Sequence, residues 1–145
     1  MAISECFPYL RVADGAAAVA WYLHVFEGTK RLELIDPSDG RVGHAELELG
    51  PGVVLMVSQA YPEIGIHAPT GNTGCGIHLH VDDADTLIER AVAAGATLTR
   101  PATDQFYGER SGAFRDPFGH EWLVGHDIED VEPAEMQRRW DAMAT

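Results

Sequence analysis

Histidine and glutamate side chains occur at spacings that suit metal binding. His78 and His80 alternate along one strand-like segment, so their side chains point to the same face of a sheet. His44 and Glu46 have the same spacing in an earlier segment, and Glu121 lies in a later one. Imidazole and carboxylate groups are common ligands of zinc and iron. Because no third ligand stands at a required spacing, two interpretations stay open: a metal site, or polar side chains on a solvated sheet surface.

The elements that must position these side chains occur twice in the chain. A strand-like segment that runs into an aspartate helix cap starts at Phe7 and again at Gly76, an offset of 69 residues. Asp14 and Asp83 are the two caps, and apolar residues at helical spacing follow each of them. Further strand-like segments lie at 31–35, 42–49 and 53–58, and at 97–100, 111–115 and 121–124. Each half of the chain is therefore predicted to be β-α-β-β-β.

These elements predict a single domain over residues 1–145. A first module spans approximately residues 4–59, a linker containing proline and glycine spans 60–73, and a second module spans 74–127. A short helix is predicted at 133–143, with Met136, Trp140 and Met143 along one side.

The composition is that of a globular protein, with 46% hydrophobic and 23% charged residues and a formal net charge of −13. Such an acidic chain repels phosphate groups, so we expect no nucleic-acid partner and no membrane partner. The chain start lacks the features of a signal peptide, and no apolar run reaches the ~18–20 residues of a membrane span, which favours a cytoplasmic protein. Cys6 and Cys75 are too few for a disulfide framework and are expected to be buried thiols.

Several motifs together resemble the vicinal oxygen chelate superfamily, which contains glyoxalases, extradiol dioxygenases, fosfomycin-modifying enzymes and bleomycin-resistance proteins. They are the two modules, the turn Asp116-Pro117-Phe118-Gly119-His120, and the segment Asp104-Gln105-Phe106-Tyr107-Gly108-Glu109-Arg110. Pro8-Tyr9-Leu10 and His44-Ala45-Glu46-Leu47 resemble its PhnB-like branch in particular. The resemblance covers roughly residues 6 to 127. It implies an α+β fold in which two βαβββ modules form a curved mixed sheet with a concave cleft.

Enzymes of this family hold a divalent metal with histidine or glutamate side chains from the first and fourth strands of each half. The matching positions in this chain are Phe7, Met56, Gly76 and Leu123. None of these side chains is a ligand for such metals. The resemblance therefore implies a cleft without a cofactor at the usual place. The alternative is a divalent metal at a relocated site, with candidate ligands His44, His78, His80 and Glu121.

The residues that replace the lost ligands indicate what the cleft binds. Aromatic and thioether side chains are expected on its concave face and adjoining loop, namely Phe7, Tyr9, Met56, Phe106 and Tyr107. Such surfaces bind flat or bulky apolar molecules, although Phe7 and Phe106 fit a core or a dimer interface equally well. Glu109 and Arg110, predicted on a loop beside the cleft, are further candidates for ligand contact. His78, His80, Glu109 and Arg115 complete the predicted binding set, and Arg11 or Arg115 would neutralise one negative charge.

Two functions follow from the resemblance. The first is a homodimer that binds a bulky, partly aromatic small molecule in a metal-free cleft, as the antibiotic-sequestering members of the family do. The second is an enzyme of the same superfamily, a lyase, isomerase or dioxygenase, with a relocated or absent metal.

Overall fold

The computed structural model describes residues 1–144, and the chain divides into two compact units. The first unit holds Met1–Cys75 and the turn Asp116–His120. The second unit holds Gly76–Arg115 and the residues from Glu121 onward. Each unit contains one four-stranded sheet.

The first unit folds as one β-α-β-β-β module. Its elements are β1 (Tyr9–Val12), α1 (Gly15–Phe26), β2 (Thr29–Ile35), β3 (Val42–Gly50) and β4 (Val53–Gln59), followed by a short 3-10 helix (Pro62–Ile64). The strand order is β1-β4-β3-β2. The first strand runs parallel to β4, and the other neighbours are antiparallel.

The second unit repeats this arrangement. Its elements are β5 (Gly76–His80), α2 (Ala84–Ala93), β6 (Thr97–Asp104), β7 (Glu109–Arg115), β8 (Glu121–Asp127) and α3 (Pro133–Met143). The strand order is β5-β8-β7-β6, and only the β5–β8 pair within this sheet is parallel. The prediction of an α+β fold built from two βαβββ modules is thereby confirmed.

The helix of each module, α1 or α2, begins at its predicted aspartate cap. The Asp14 carboxylate accepts a hydrogen bond from the Ala17 amide at 3.1 Å, and the Asp83 carboxylate accepts one from the Thr86 amide at 3.2 Å. Each bond satisfies a backbone donor that has no partner inside the helix, which fixes where the strand ends and the helix begins.

The apolar core of each unit lies on the helix-facing side of its sheet. Tyr22 of α1 and Val57 of β4 are fully buried in the first unit, and Phe114 and Trp122 are fully buried in the second. Because side chains alternate along a strand, the residues between these core positions face away from the helix. That opposite face carries the polar groups from which a site is built.

The strands β7 and β8 extend beyond the segments that the sequence pattern predicts. Glu109 pairs with Asp127, and Arg110 pairs with His126, so both residues belong to β7. The prediction that Glu109 and Arg110 lie on a loop is wrong, because cross-strand hydrogen bonds continue past the apolar residues that reveal a strand in a sequence.

The two cysteines also differ from expectation. Cys6 and Cys75 each precede the first strand of a module, and both side chains are exposed. The prediction of buried thiols is wrong, because the packed alternation begins only after these positions.

The last helix, α3, presents apolar side chains to the outside of the second unit. Trp140 and Met143 are 61% and 66% exposed, whereas Met136 is half-buried. Among residues 1–144, the helices are all too short or too polar to cross a bilayer.

Candidate functional site

Two histidines and a glutamate of the second unit converge on one point, and we call His78, His80 and Glu109 the His–Glu cluster. One Glu109 oxygen, Oε1, lies 2.8 Å from Nε2 of His78, and the other, Oε2, lies 3.5 Å from Nε2 of His80. When one ligand atom is taken from each residue, these three atoms lie within 4.8 Å of one another. The carboxylate thus uses one oxygen for each imidazole.

The sheet brings these residues together across an intervening strand. His78 and His80 share one face of β5, whereas Glu109 begins β7, which is separated from β5 by β8. Gly125 of β8 lies between them, opposite both His80 and Ser111. A Cβ atom at Gly125 would overlap the Glu109 carboxylate. The missing side chain at this position therefore lets Glu109 reach over β8 to the histidines.

Burial differs sharply within the cluster. The Glu109 side chain is only 9% exposed, whereas the side chains of His78 and His80 are 41% and 63% exposed. A buried carboxylate is costly unless hydrogen bonds or charges compensate it. The histidines supply that compensation on one side, and their other side faces solvent.

A second group of hydrogen-bonded side chains is centred on the Ser111 hydroxyl in β7. Arg100 donates a hydrogen bond to the Ser111 hydroxyl at 3.1 Å, and the Tyr107 hydroxyl lies 3.3 Å from the same oxygen. These contacts hold the Tyr107 ring beside the start of β7. The Phe106 ring packs against Tyr107 and against Trp140 of α3, with centroid distances of 5.1 Å and 5.5 Å.

A cavity of about 560 Å³ opens beside Tyr107 and Glu109, and we call it the Tyr107 cavity. Its apolar lining comes from Tyr107, Ile128, Val131 and Met136, and its carboxylates come from Glu109, Asp127, Glu129 and Asp130. Arg139 pairs with Glu129 at 2.7 Å and thereby lowers the pKa of that carboxyl. The cavity therefore combines an apolar wall with negative charge.

The first unit contains a different arrangement of the same residue types. The Tyr9 hydroxyl lies 2.6 Å from Nδ1 of His44, and Nε2 of His44 lies 2.9 Å from a Glu46 oxygen. Arg31 approaches the other Glu46 oxygen at 3.7 Å. If the Glu46 carboxylate accepts a hydrogen bond from Nε2–H of His44, then Nδ1 of His44 is free to accept a hydrogen bond from the Tyr9 hydroxyl. This series of hydrogen bonds suits proton transfer.

The remaining predicted site residues fall into separate local settings. Phe7 and Met56 line a cavity of about 320 Å³ together with Glu46, and Tyr9 lines another of about 350 Å³ together with Arg11. In the second unit Arg115 donates to Glu121 at 2.8 Å, so these two form an ion pair. Phe106 supports Tyr107 and α3 without lining the Tyr107 cavity.

The sequence placed His78 and His80 on one face, and the structure adds Glu109 as their partner. Glu121 and His44, the other two candidate ligands, instead contact Arg115 and Tyr9 respectively. The role of Gly125 was not predicted from the sequence, although a glycine inside a strand often marks a close approach by another group.

The chain belongs to the glyoxalase/bleomycin resistance protein/dioxygenase superfamily, whose family model matches residues 3–124. Uncharacterized proteins of Mycobacterium bovis and Mycobacterium tuberculosis are 36% identical to it over 135 residues, which cover 90% of this chain and 88% and 78% of theirs. Its structure is similar to those of TioX from Micromonospora sp. ML1 (28% identity, TM-score 0.67) and protein PA1353 from Pseudomonas aeruginosa (28% identity, TM-score 0.69). The similarity covers 87% and 88% of this chain, respectively, and 100% of each of the other two.

The residues at the superfamily's metal positions do not fit a metal ion. By the resemblance, these positions fall on Phe7 and Met56 in the first unit and on Gly76 and Leu123 in the second. None of the four side chains offers a nitrogen, carboxylate or thiolate donor. A Cβ atom at Gly76 would lie 2.7 Å from the Leu123 side chain, so even a larger residue there would require repacking.

Proposed function

We propose that this protein binds a small organic molecule that has an aromatic or extended apolar body and carries a positive charge. The observation that supports this function best is the Tyr107 cavity, whose lining combines apolar side chains with several carboxylates. Its volume of about 560 Å³ suits a drug-sized molecule. The formal net charge of −13 favours the approach of cations over anions.

Tyr107 is the expected anchor for the apolar part of the ligand. Its hydroxyl is held by Ser111, and its ring stands edge-on to Phe106 with an interplanar angle of 89°. A ring that is already fixed in place loses little conformational entropy on binding. Truncation of such an anchor in a buried contact costs about 1–3 kcal/mol of binding free energy.

The proposal is tested with three probes in buffer that contains a chelator. Proflavine is a planar aromatic cation, 9-anthracenecarboxylate is a planar aromatic anion, and bleomycin is a bulky glycopeptide with a cationic end. We expect proflavine and bleomycin to bind more tightly than the anion in fluorescence titrations. The proposal would be contradicted by equal affinity for the cation and the anion. It would also be contradicted if no probe bound at a concentration of about 1 mM, which corresponds to weak binding.

Two matched pairs of variants locate the binding. Tyr107→Ala should weaken proflavine binding about 5- to 150-fold, whereas Tyr9→Ala in the first unit should leave it unchanged. Asp130→Asn should also weaken binding of the cation, whereas Glu89→Gln, which removes an exposed charge from α2, should not. If Tyr107→Ala binds proflavine as tightly as the parent, the Tyr107 cavity is not the site.

A second candidate function is an enzyme of the same superfamily, a lyase or isomerase that works without the superfamily's metal. The Tyr9–His44–Glu46 chain favours it, because a carboxylate that orients an imidazole lets the imidazole take a proton from the phenol. The thiohemiacetal of methylglyoxal and a thiol is a suitable probe. Turnover that is lost in Tyr9→Phe would favour the enzyme, and absence of turnover would favour the binding protein.

A further inference from the structure

The His–Glu cluster contains the donors of a metal site, and their spacing suits one. An ion held at about 2.0–2.2 Å from each of three donors requires those donors to lie roughly 3–3.5 Å apart. The two nitrogen–oxygen distances, each to a different Glu109 oxygen, are 2.8 Å and 3.5 Å, and three donor atoms, one from each residue, lie within 4.8 Å of one another. Small side-chain rotations of the two exposed histidines would therefore bring all three donors to one ion.

The neighbouring strand β8 leaves space for the Glu109 carboxylate at Gly125. Glu109 is one of the few charged residues with a buried side chain, and it reaches its place only because residue 125 is glycine. A neutral surface patch would not require a charged group to be buried at this point. The burial of Glu109 holds one ligand in position, whereas the exposed histidines can adjust around an ion.

We propose that His78, His80 and Glu109 bind one divalent transition-metal ion of borderline softness, such as Zn²⁺, Ni²⁺ or Co²⁺. Two imidazoles and one carboxylate suit these ions, whereas Mg²⁺ and Ca²⁺ prefer oxygen ligands. Three protein ligands leave at least one coordination position open to water or to a donor atom of another molecule. This inference selects the relocated metal that the sequence left as an alternative to a cofactor-free cleft.

The proposed site is distinct from the superfamily's metal position. By the resemblance, that position falls on Gly76 in β5, whereas His78 and His80 lie two and four residues further along the same strand and Glu109 lies in β7. Glu109 also lines the Tyr107 cavity, so the proposed metal site and that cavity share one residue.

The site is tested with the metal alone, independently of any organic ligand. The full chain is treated with a chelator, dialysed into metal-free buffer and titrated by calorimetry with zinc chloride. In a parallel titration, cobalt chloride is added and the visible ligand-field absorption is recorded. We expect one ion per chain and cobalt bands between about 500 and 650 nm, as for low-symmetry sites with nitrogen and oxygen ligands.

Variants of single ligands decide the assignment. His80→Asn changes a side chain that is 63% exposed, so it should fold normally and bind zinc at least about tenfold more weakly. Glu109→Gln should have a similar effect. The matched control is His44→Asn, because His44 and Glu46 form a comparable pair without a second histidine, and this variant should bind zinc like the parent.

The results separate this inference from the proposed function. The metal site is refuted if zinc and cobalt do not bind at concentrations up to about 1 mM, which is on the order of the weakest specific affinities. It is also refuted if His80→Asn and Glu109→Gln bind zinc as tightly as the parent. The proflavine titrations contain a chelator, so they succeed or fail without regard to the metal.

Discussion

Gly125→Ala tests the central geometric feature of the candidate site. A methyl group at this position would overlap the Glu109 carboxylate, so the Glu109 side chain must move away from His78 and His80. Overpacking of this kind typically costs about 1–3 kcal/mol. Loss of hydrogen bonds to a charged group costs about 1–3 kcal/mol more, and the lower entropy of alanine in the unfolded chain returns about 0.5–1 kcal/mol. These ranges give a net loss of about 1–5 kcal/mol, with a central value of about 3 kcal/mol.

Urea denaturation, followed by the fluorescence of the buried Trp122, measures this loss. With the central loss of about 3 kcal/mol and a dependence on urea of about 2 kcal/mol per molar, the midpoint should fall by roughly 1.5 M. Gly50→Ala is the control, because a Cβ atom there meets Val53 at an ordinary contact distance of 3.9 Å.

A double-mutant cycle with Glu109→Ala identifies the cause. In the Glu109→Ala background the added methyl group has no carboxylate to displace, so Gly125→Ala should cost less than about 1 kcal/mol. Unfolding of Gly125→Ala at the same urea concentration as the parent would show that the methyl group does not displace Glu109. An equal cost with and without Glu109 would show that the methyl group acts on another part of the protein.

Three further predictions follow from other features. We expect a twofold dimer in which the exposed side of α3 is covered, so sedimentation should show about twice 15.8 kDa; a single 15.8 kDa species at micromolar concentration would contradict it. Tyr22→Phe removes a buried donor to Asp116 and should cost about 1–3 kcal/mol. Burial, followed by the Asp116 charge, raises the pKa of Tyr22 in the folded state. The Tyr22 hydroxyl therefore contributes its full share of the unfolding free energy below about pH 10, and this share is lost as the pH rises further. The unfolding free energy of Tyr22→Phe, measured against pH, should lack this loss above about pH 10. Zinc at 100 times the parent's dissociation constant should stabilise the parent by about 2.7 kcal/mol, and at the same concentration it should stabilise His80→Asn, which binds at least about tenfold more weakly, by no more than about 1.4 kcal/mol; melting temperatures measured with and without zinc check both values.

The sequence predicted the fold because the fold depends on local signals that occur twice. Asp14 and Asp83 mark the helix starts, and the alternation after Phe7 and Gly76 marks the first strands. These signals act over a few residues, so a single sequence reveals them. The sequence also placed His78 and His80 on one face for the same reason.

The third member of the His–Glu cluster could not be predicted in this way. Glu109 meets His78 only because β8 lies between β5 and β7 in a particular register, which is set by long-range pairing and not by local spacing. The candidates His44 and Glu121 share the chemistry of metal ligands, but their partners in the sheet are Tyr9 and Arg115. Whether Phe7, Tyr9 and Phe106 contact a ligand stays a prediction.

The position of α3 has a consequence for how this scaffold acquires new ligands. The superfamily's model matches residues 3–124, whereas Met136 and Arg139 belong to a segment beyond it. Met136 lines the Tyr107 cavity, and Arg139 ties the helix to the Phe106 carbonyl at 2.8 Å. One wall of the cavity is thus formed by a helix outside the region that the family model matches. Under the proposed function, a substitution on the cavity side of α3 would change which ligands bind without changing a residue of either sheet.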